Sequence, residues 1–308
     1  MKNLISLKDI SADQINGMLV LAEQVKKHPW NYTHIMRGKT LLMIFEKPSL
    51  RTRLSFETGA YQLGGHAIYY DMSTSPMGAG KESISDSIKV ISRFNDIVMA
   101  RLFKHEHVLE MAANASIPVI NALTDYSHPC QILADLLTIK EHKGQLAGLK
   151  LAYLGDANNN VTHSLLFGCA ACGLNVSVGC PDNPELMTEA SVLDDARRIA
   201  GEHDVEIEMT ADPQAAVAGA DVVYTDSWMS YHIAKEKQEE RVAALKPYQV
   251  DSKLMSNAKP DAIFMNCLPA MRGYEQTAEV IDGPQSVVFD EAENRLHAQK
   301  AVMIKLLA

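Results

Sequence analysis

The chain has 308 residues, of which 47% are apolar and 22% charged, and its formal net charge is -9. Such a length predicts two domains rather than one core. The acidic balance excludes a broad nucleic-acid surface and confines any anion site to a local pocket of positive charge. No run of about 18 uninterrupted apolar residues is present to span a membrane. The opening MKNLISLKDISADQ lacks the apolar centre of a signal peptide. Five cysteines without a regular framework fit a reducing, cytoplasmic setting.

Ser11-Ala12-Asp13-Gln14 has capping-box form, and Ile15, Met18, Leu19 and Ala22 then mark one face of a helix ending near His28-Pro29. Leu41 to Phe45 reads as a buried strand, followed by a polar turn and a helix from Leu54 to the stop at Gly64-Gly65. A strand at His66–Tyr70 precedes a loop, Ser73 to Lys81, whose Ser, Gly and Pro predict mobility. Ile84, Ile88 and Ile91 give Glu82–Phe94 a helical period. Strand 96–100 ends at Arg101. A helix from about His105 to Ala115, a strand at 118–121 and a helix from His128-Pro129-Cys130-Gln131 to about Lys140 follow.

The polar stretch EHKGQLAG, Glu141 to Gly148, reads as a joint. Strands at 150–156, 175–180, 205–209, 220–225 and 262–266 then alternate with helices at about 162–172, 188–202, 212–218 and 235–245. A last helix, about 291–307, carries Arg295 and His297 near its start. This alternation predicts an α/β chain with two doubly wound parallel-sheet domains, 1–142 and 149–290. The helix 291–308 is expected to return to the first.

In open parallel sheets ligands bind beyond the carboxyl ends of the strands. Ser49, Arg51, Thr52, Arg101, His128 and Gln131 all fall there, though far apart in sequence. Two hydroxyls and two guanidiniums at a helix N-terminus, where backbone N–H groups lack partners, suit a doubly charged oxyanion such as phosphate. A simple N-cap flanked by solvated arginines is the plainer alternative. The second half resembles a nucleotide fold, but its first turn, Gly155-Asp156-Ala157-Asn158-Asn159-Asn160, lacks G-x-G-x-x-G, and no phosphate loop occurs. A nicotinamide cofactor is therefore not expected. Cys169 and Cys172 have redox spacing but lie in an apolar helix and are read as core. His28, His34, His105, His107 and His142 show no ligand spacing and are read as surface.

With these residues in place, the chain resembles the aspartate/ornithine carbamoyltransferase family, and within it the ornithine enzymes, over its full length. FEKPSLRTR resembles the carbamoyl-phosphate turn, HPCQ matches a family signature, and GDANNN resembles the asparagine turn. Asp226-Ser227-Trp228-Met229-Ser230, NCLPA and Glu293-Asn294-Arg295 resemble three further segments in order.

The resemblance implies transfer of a carbamoyl group from carbamoyl phosphate to the side-chain amine of L-ornithine, without metal or cofactor. Ser49, Leu50, Arg51 and Thr52 would grip the phosphate. Arg101, His128, Pro129, Cys130, Gln131 and Arg295 would surround the carbamoyl group, and Cys267 and Leu268 would line the join between the substrates. Arg101, His128 and Cys267 would be catalytic. Asn160, Asp226, Ser230 and Tyr231 would hold ornithine. A homotrimer, or a multiple of trimers, is implied as well, with no nucleic-acid or membrane partner.

The chemistry fits these residue types. The attacking amine, with a solution pKa of about 10, must react as the free base. A carboxylate beside it would favour the ammonium instead, so Asp226 is expected on the α-amino group. Arg101 and His128 would meet charge developing on the carbonyl oxygen. Removing such a donor typically costs about 3 kcal/mol.

Four departures from the family pattern stand out: Leu50 for Thr, Met77 for Gln, Asn266 for His, and Tyr231-His232 for Met-Gly. The last leaves room for another amine, such as putrescine. A catalytically silent phosphate-binding regulator is the distant alternative.

Overall fold

The computed structural model describes residues 1–229 and 238–308. They form two compact units, Met1–Leu137 with Glu293–Ala308, and Thr138–Ala292. The first contains α1 (Ala12–Lys27), β1 (Thr40–Phe45), α2 (Leu50–Gln62), β2 (His66–Asp71), α3 (Ile84–Phe94), β3 (Ile97–Arg101), α4 (His105–Asn114), β4 (Val119–Leu123) and most of α5 (Pro129–Lys143). The second contains β5 (Lys150–Leu154), α6 (Asn160–Ala171), β6 (Asn175–Gly179), α7 (Ala190–Gly201), β7 (Ile207–Thr210), α8 (Pro213–Val217), β8 (Val222–Thr225), α9 (Gln238–Leu245), α10 (Ser252–Met255), β9 (Ile263–Met265) and α11 (Ala278–Ile281). The last helix, α12 (Val288–Leu307), starts in the second unit and ends in the first.

Both sheets are wholly parallel, ordered β2-β1-β3-β4 and β7-β6-β5-β8-β9. Helices cover a parallel sheet on both faces, so its inner strands need apolar residues at successive positions. Leu41–Phe45 and Ile97–Ala100 meet that need and are buried throughout. Leu42, Ile44, Val98 and Ala100 join Ile88 of α3, Val108 and Met111 of α4, and Val119 in one core. Each fully buried Ile, Val or Met contributes roughly 1.5–3 kcal/mol. The edge strand β2 is mostly exposed. Among the described residues no helix is long and apolar enough to cross a membrane.

The predicted strands and helices form, with shifts at their ends that have local causes. Helix α2 begins at Leu50 rather than Leu54, because Ser49 caps it: its hydroxyl accepts from Thr52 N at 3.3 Å. The predicted capping box is present, Gln14 N donating to Ser11 Oγ at 3.2 Å and Ser11 N to Gln14 Oε1 at 3.0 Å. Helix α5 runs through Lys143, into the stretch read as a joint, and Gly144 follows with φ 78. Helix α12 starts at Val288 instead of Glu291. Helices α10 and α11, four residues each, were not anticipated because so short a segment shows no periodicity.

The loop expected to be mobile is anchored at its middle. Ser75 and Met77 are buried, Met77 within the core of the first unit. A side chain on Gly78 would strike the Met72 carbonyl at 1.9 Å. Cys169 and Cys172 are buried in α6 and its cap, as read from sequence. His28, His34 and His142 are exposed, but His105 and His107 are half-buried. His105 bonds Thr124 Oγ1 at 2.8 Å and packs on the Tyr126 ring. Ser230, Tyr231 and His232 lie outside the described residues.

Candidate active site

In the first unit β1 is followed on one side by β2 and on the other by β3, so the strand order reverses between β1 and β3. A crevice opens at such a switch point. Phe45, the end of β1, is registered against Arg101, the end of β3, and Glu46 N donates to Arg101 O at 2.9 Å. The turn Glu46–Ser49 and the first turn of α2 therefore sit beside Arg101 because the sheet register requires it.

Thr52, 1% exposed, is the hub. Its hydroxyl accepts from Arg101 Nη1 at 3.5 Å and from Arg295 Nη2 at 3.2 Å. The other arm of Arg295 donates to Gln131 Oε1 at 2.5 Å, and Gln131 Nε2 donates to the buried Asp135 at 2.8 Å. With its amide oriented to satisfy both neighbours, Gln299 accepts from Arg295 and donates to Ser55 Oγ. Residues from β3, α2, α5 and α12 are thus bolted together. Leu50, by contrast, is 69% exposed, so only its backbone belongs to the turn. Pro129 is the first residue of α5, where its missing N–H costs nothing.

The cluster is strongly cationic. Lys47 is buried with its ammonium 4.7 Å from the Phe103 ring centroid. Burial, with Arg101 next, pushes its pKa down to about 8, so it is still charged at neutral pH. His128 is held well below its ordinary pKa, first by burial and then by Arg295, Arg101, Lys47 and Arg51. Its imidazole is neutral at pH 7 and offers one N–H. The Cys130 thiol is pushed up to about 12 by burial. It donates to Asn121 O at 3.6 Å.

The second unit has its own switch point between β5 and β8. Gly155, with φ 127, turns the end of β5 into the asparagine turn. Asn159, not Asn160, caps α6, accepting from Val161 N at 2.8 Å and Thr162 N at 2.9 Å. Asn160 is the half-buried first residue of that helix. Asp226 follows β8 directly, and loss of hydration pushes its carboxyl up to about 6 despite hydrogen bonds from Ser227 and Cys267. The half-buried Cys267 has its Sγ 3.2 Å from Asp226 Oδ1.

Leu268 takes a left-handed backbone, φ 56, which costs a non-glycine residue roughly 1–2 kcal/mol. Asn266 supports it: Oδ1 accepts from Leu268 N at 2.8 Å while Nδ2 donates to Gln276 at 3.1 Å and its own N–H donates to Glu291 at 3.0 Å. This fully buried bracket is what the asparagine at the family's histidine position does.

Four residues escaped sequence reasoning. Lys47 stands inside the turn already singled out, and its lysine next to proline was a usable signal. Asp156, Arg241 and Glu275 gave none. Arg241 Nη2 is paired with Asp156, and its Nε donates to Trp228 O at 2.6 Å. Buried Glu275 accepts from Trp228 N at 3.0 Å and Met271 N at 2.8 Å. Arg241 thereby ties the asparagine turn to the loop that carries Asp226, through contacts 85 and 13 residues apart in sequence.

A cationic, helix-capped turn at one switch point and a carboxylate–thiol pair at another define a two-unit α/β protein built for a compact oxyanion and a small amine. Two family profiles match the chain. Residues 2–141 match the aspartate/ornithine carbamoyltransferase carbamoyl-P binding domain, and residues 147–306 the Asp/Orn binding domain. The chain belongs to the aspartate/ornithine carbamoyltransferase family.

It is 49% identical over 306 residues to the ornithine carbamoyltransferase of Bacillus subtilis, covering 99% of this chain and 94% of that protein. It is 50% identical over 309 residues to that of Oceanobacillus iheyensis, covering 100% and 94%. The crystal structure of ornithine carbamoyltransferase from Pyrococcus furiosus superposes with a TM-score of 0.92 at 45% identity, covering 98% of this chain and 96% of that one.

Proposed function

We propose that this protein transfers the carbamoyl group of carbamoyl phosphate to the side-chain amine of L-ornithine, giving L-citrulline and phosphate. The observation that carries this reading is the convergence of Arg101 and Arg295 on Thr52, within the turn capped by Ser49. The first unit is the carbamoyl-phosphate-binding domain and the second the ornithine-binding domain.

The phosphate rests on the N-terminal N–H groups of α2, including that of Leu50, and on the side chains of Ser49, Thr52 and Arg51. Lys47 adds a fixed positive charge nearby. Arg101 and the neutral N–H of His128 face the carbamoyl oxygen, with Gln131 and Arg295 bracing that wall. Asp226 is ionised above about pH 6 and binds the α-ammonium of ornithine, which leaves the side-chain amine to lose its proton. The Cys267 thiol orients the carboxylate, and Asn160 completes the described part of the amino-acid site.

The amine nitrogen bonds to the carbonyl carbon, and negative charge gathers on the oxygen beside Arg101 and His128. The bond to the phosphate oxygen then breaks. The phosphate leaves with the electron pair, stabilised by Arg51, and the former amine sheds its proton. The reaction belongs to arginine metabolism in the cytoplasm. The assembly is a homotrimer, supported by the exposed Leu50 and Leu54 on α2 and Ile68 on the edge strand.

Tyr231-His232 in place of Met-Gly supports a second reading of the amine, with putrescine as acceptor. A panel of ornithine, putrescine, lysine and aspartate, read as carbamoylated product, decides between them. Ornithine should be turned over fastest. Turnover of putrescine without ornithine would overturn the acceptor assignment, and binding of carbamoyl phosphate without turnover of any amine would overturn the enzyme.

A further inference from the structure

Away from the cationic turn, the first unit holds another cavity, of about 660 Å³, whose walls include Lys26, Pro29, Trp30, Tyr61, Leu296 and Lys300. Two features set it apart from an ordinary surface hollow. Trp30 is 84% exposed and Tyr61 80%, although large aromatic faces gain most from leaving water. Lys300, meanwhile, is only 2% exposed.

The Lys300 ammonium makes one hydrogen bond, 2.8 Å to Gln62 Oε1, and has three donors to satisfy. Burial depresses its titration, and among the described residues no carboxylate acts on it. Its stem packs over Gly59, where an added Cβ would lie 3.2 Å from Lys300 Cγ. The stem is therefore held against α2. A largely buried cation without a counter-charge is unfavourable.

Lys26 differs: it reaches Asn294 Oδ1 at 2.9 Å and Glu293 at 3.7 Å. Buried His297 also leans on Glu293, Nε2 to Oε1 at 3.2 Å, and its Nδ1 has no hydrogen-bond partner among the described residues. The balance within the cavity is one uncompensated positive charge on Lys300, with the Glu293 carboxylate nearby.

We propose that this cavity binds a small planar monocarboxylate, its carboxylate against Lys300 and its ring against Trp30. One uncompensated cation matches one negative charge, and Glu293 repels a dianion. Trp30, Tyr61, Pro29 and Leu296 supply the flat apolar surface that a ring needs. The site is separate from the cationic turn, although α12 serves both: Arg295 faces Thr52, while Leu296 and Lys300 line the cavity.

The full chain can be tested directly by fluorescence, since its two tryptophans are Trp30 and Trp228, and Trp228 is fully buried in the other unit. Benzoate is the probe and benzamide its neutral counterpart. Benzoate should change Trp30 emission saturably, with a dissociation constant on the order of 1 mM for so small a ligand. Benzamide should bind at least about tenfold more weakly, because it lacks the charge-assisted contact. Lys300→Met should erase the preference for benzoate while keeping the fold, checked by circular dichroism. If that variant does not fold, the benzoate–benzamide ratio in the wild type decides alone. Equal binding of the two probes, no saturable change, or emission that follows protein concentration instead of benzoate would each overturn the proposal. The last outcome would identify a self-association face.

Discussion

Arg295→Lys is the substitution that tests the architecture of the phosphate turn most directly. Arg295 is buried, and its fork bridges Thr52 on α2 and Gln131 on α5 at the same time. Lysine keeps the charge, so the bulk electrostatic attraction for phosphate survives. A single ammonium on a flexible stem cannot span both acceptors in fixed geometry. At least one charge-assisted hydrogen bond is lost, worth about 1.5–3 kcal/mol, and where it is the one to Thr52 that hydroxyl keeps the longer 3.5 Å contact from Arg101.

If half or more of that loss falls on the transition state, kcat/KM for carbamoyl phosphate drops roughly 4- to 150-fold. Arg295→Met, which also deletes the charge, should lose at least about another tenfold. The assay is initial-rate citrulline formation at saturating ornithine, with circular dichroism to confirm folding. A folded Arg295→Lys enzyme within about threefold of wild type would refute the idea that fork geometry, beyond mere positive charge, organises the turn.

Asp226 sets a pH dependence in two measurements. Its carboxyl, raised to about 6, must be ionised to hold an ammonium, so the KM for ornithine should climb as pH falls below about 6, and Asp226→Asn should abolish that limb. Between the unfolded value of about 3.9 and the folded value, the native state binds more protons than the unfolded one, so stability falls as pH rises through this window. Asp226→Asn should therefore be more stable to urea at pH 8, by up to about 3 kcal/mol, despite its weaker binding of ornithine. Arg241→Met breaks a largely buried ion pair and frees the Asp226 loop from the asparagine turn. It should raise the KM for ornithine about tenfold or more, with little change in the KM for carbamoyl phosphate, and lower stability by about 3 kcal/mol. A uniform loss in both KM values would count against a local clamp. In native protein a thiol reagent should label Cys267 first, because Cys130 and Cys172 are buried with thiols pushed up to about 12; early labelling of Cys130 would contradict the packing described.

The sequence by itself determined the parallel α/β architecture and the polar turns at its strand ends. Leu41–Phe45 and Ile97–Ala100 are continuous apolar runs, and that pattern is local. The same holds for the caps at Ser11 and Ser49, which act over three residues. Family motifs then supplied roles that spacing alone left open between an oxyanion nest and a plain helix cap.

What only the tertiary structure decided are the contacts made across long stretches of chain. Thr52 serves as a hub only because sheet register sets Arg101 beside α2 and because α12 delivers Arg295 from 243 residues away. Met77 and Asn266 look like lost polar contacts in the sequence. The fold puts one in the core and makes the other a bracket for Leu268. Arg241, Glu275 and Lys300 look like ordinary surface charges in the chain, since a single residue carries no mark of its burial. Desolvation and partner choice follow from packing, and packing sets what each of these residues touches.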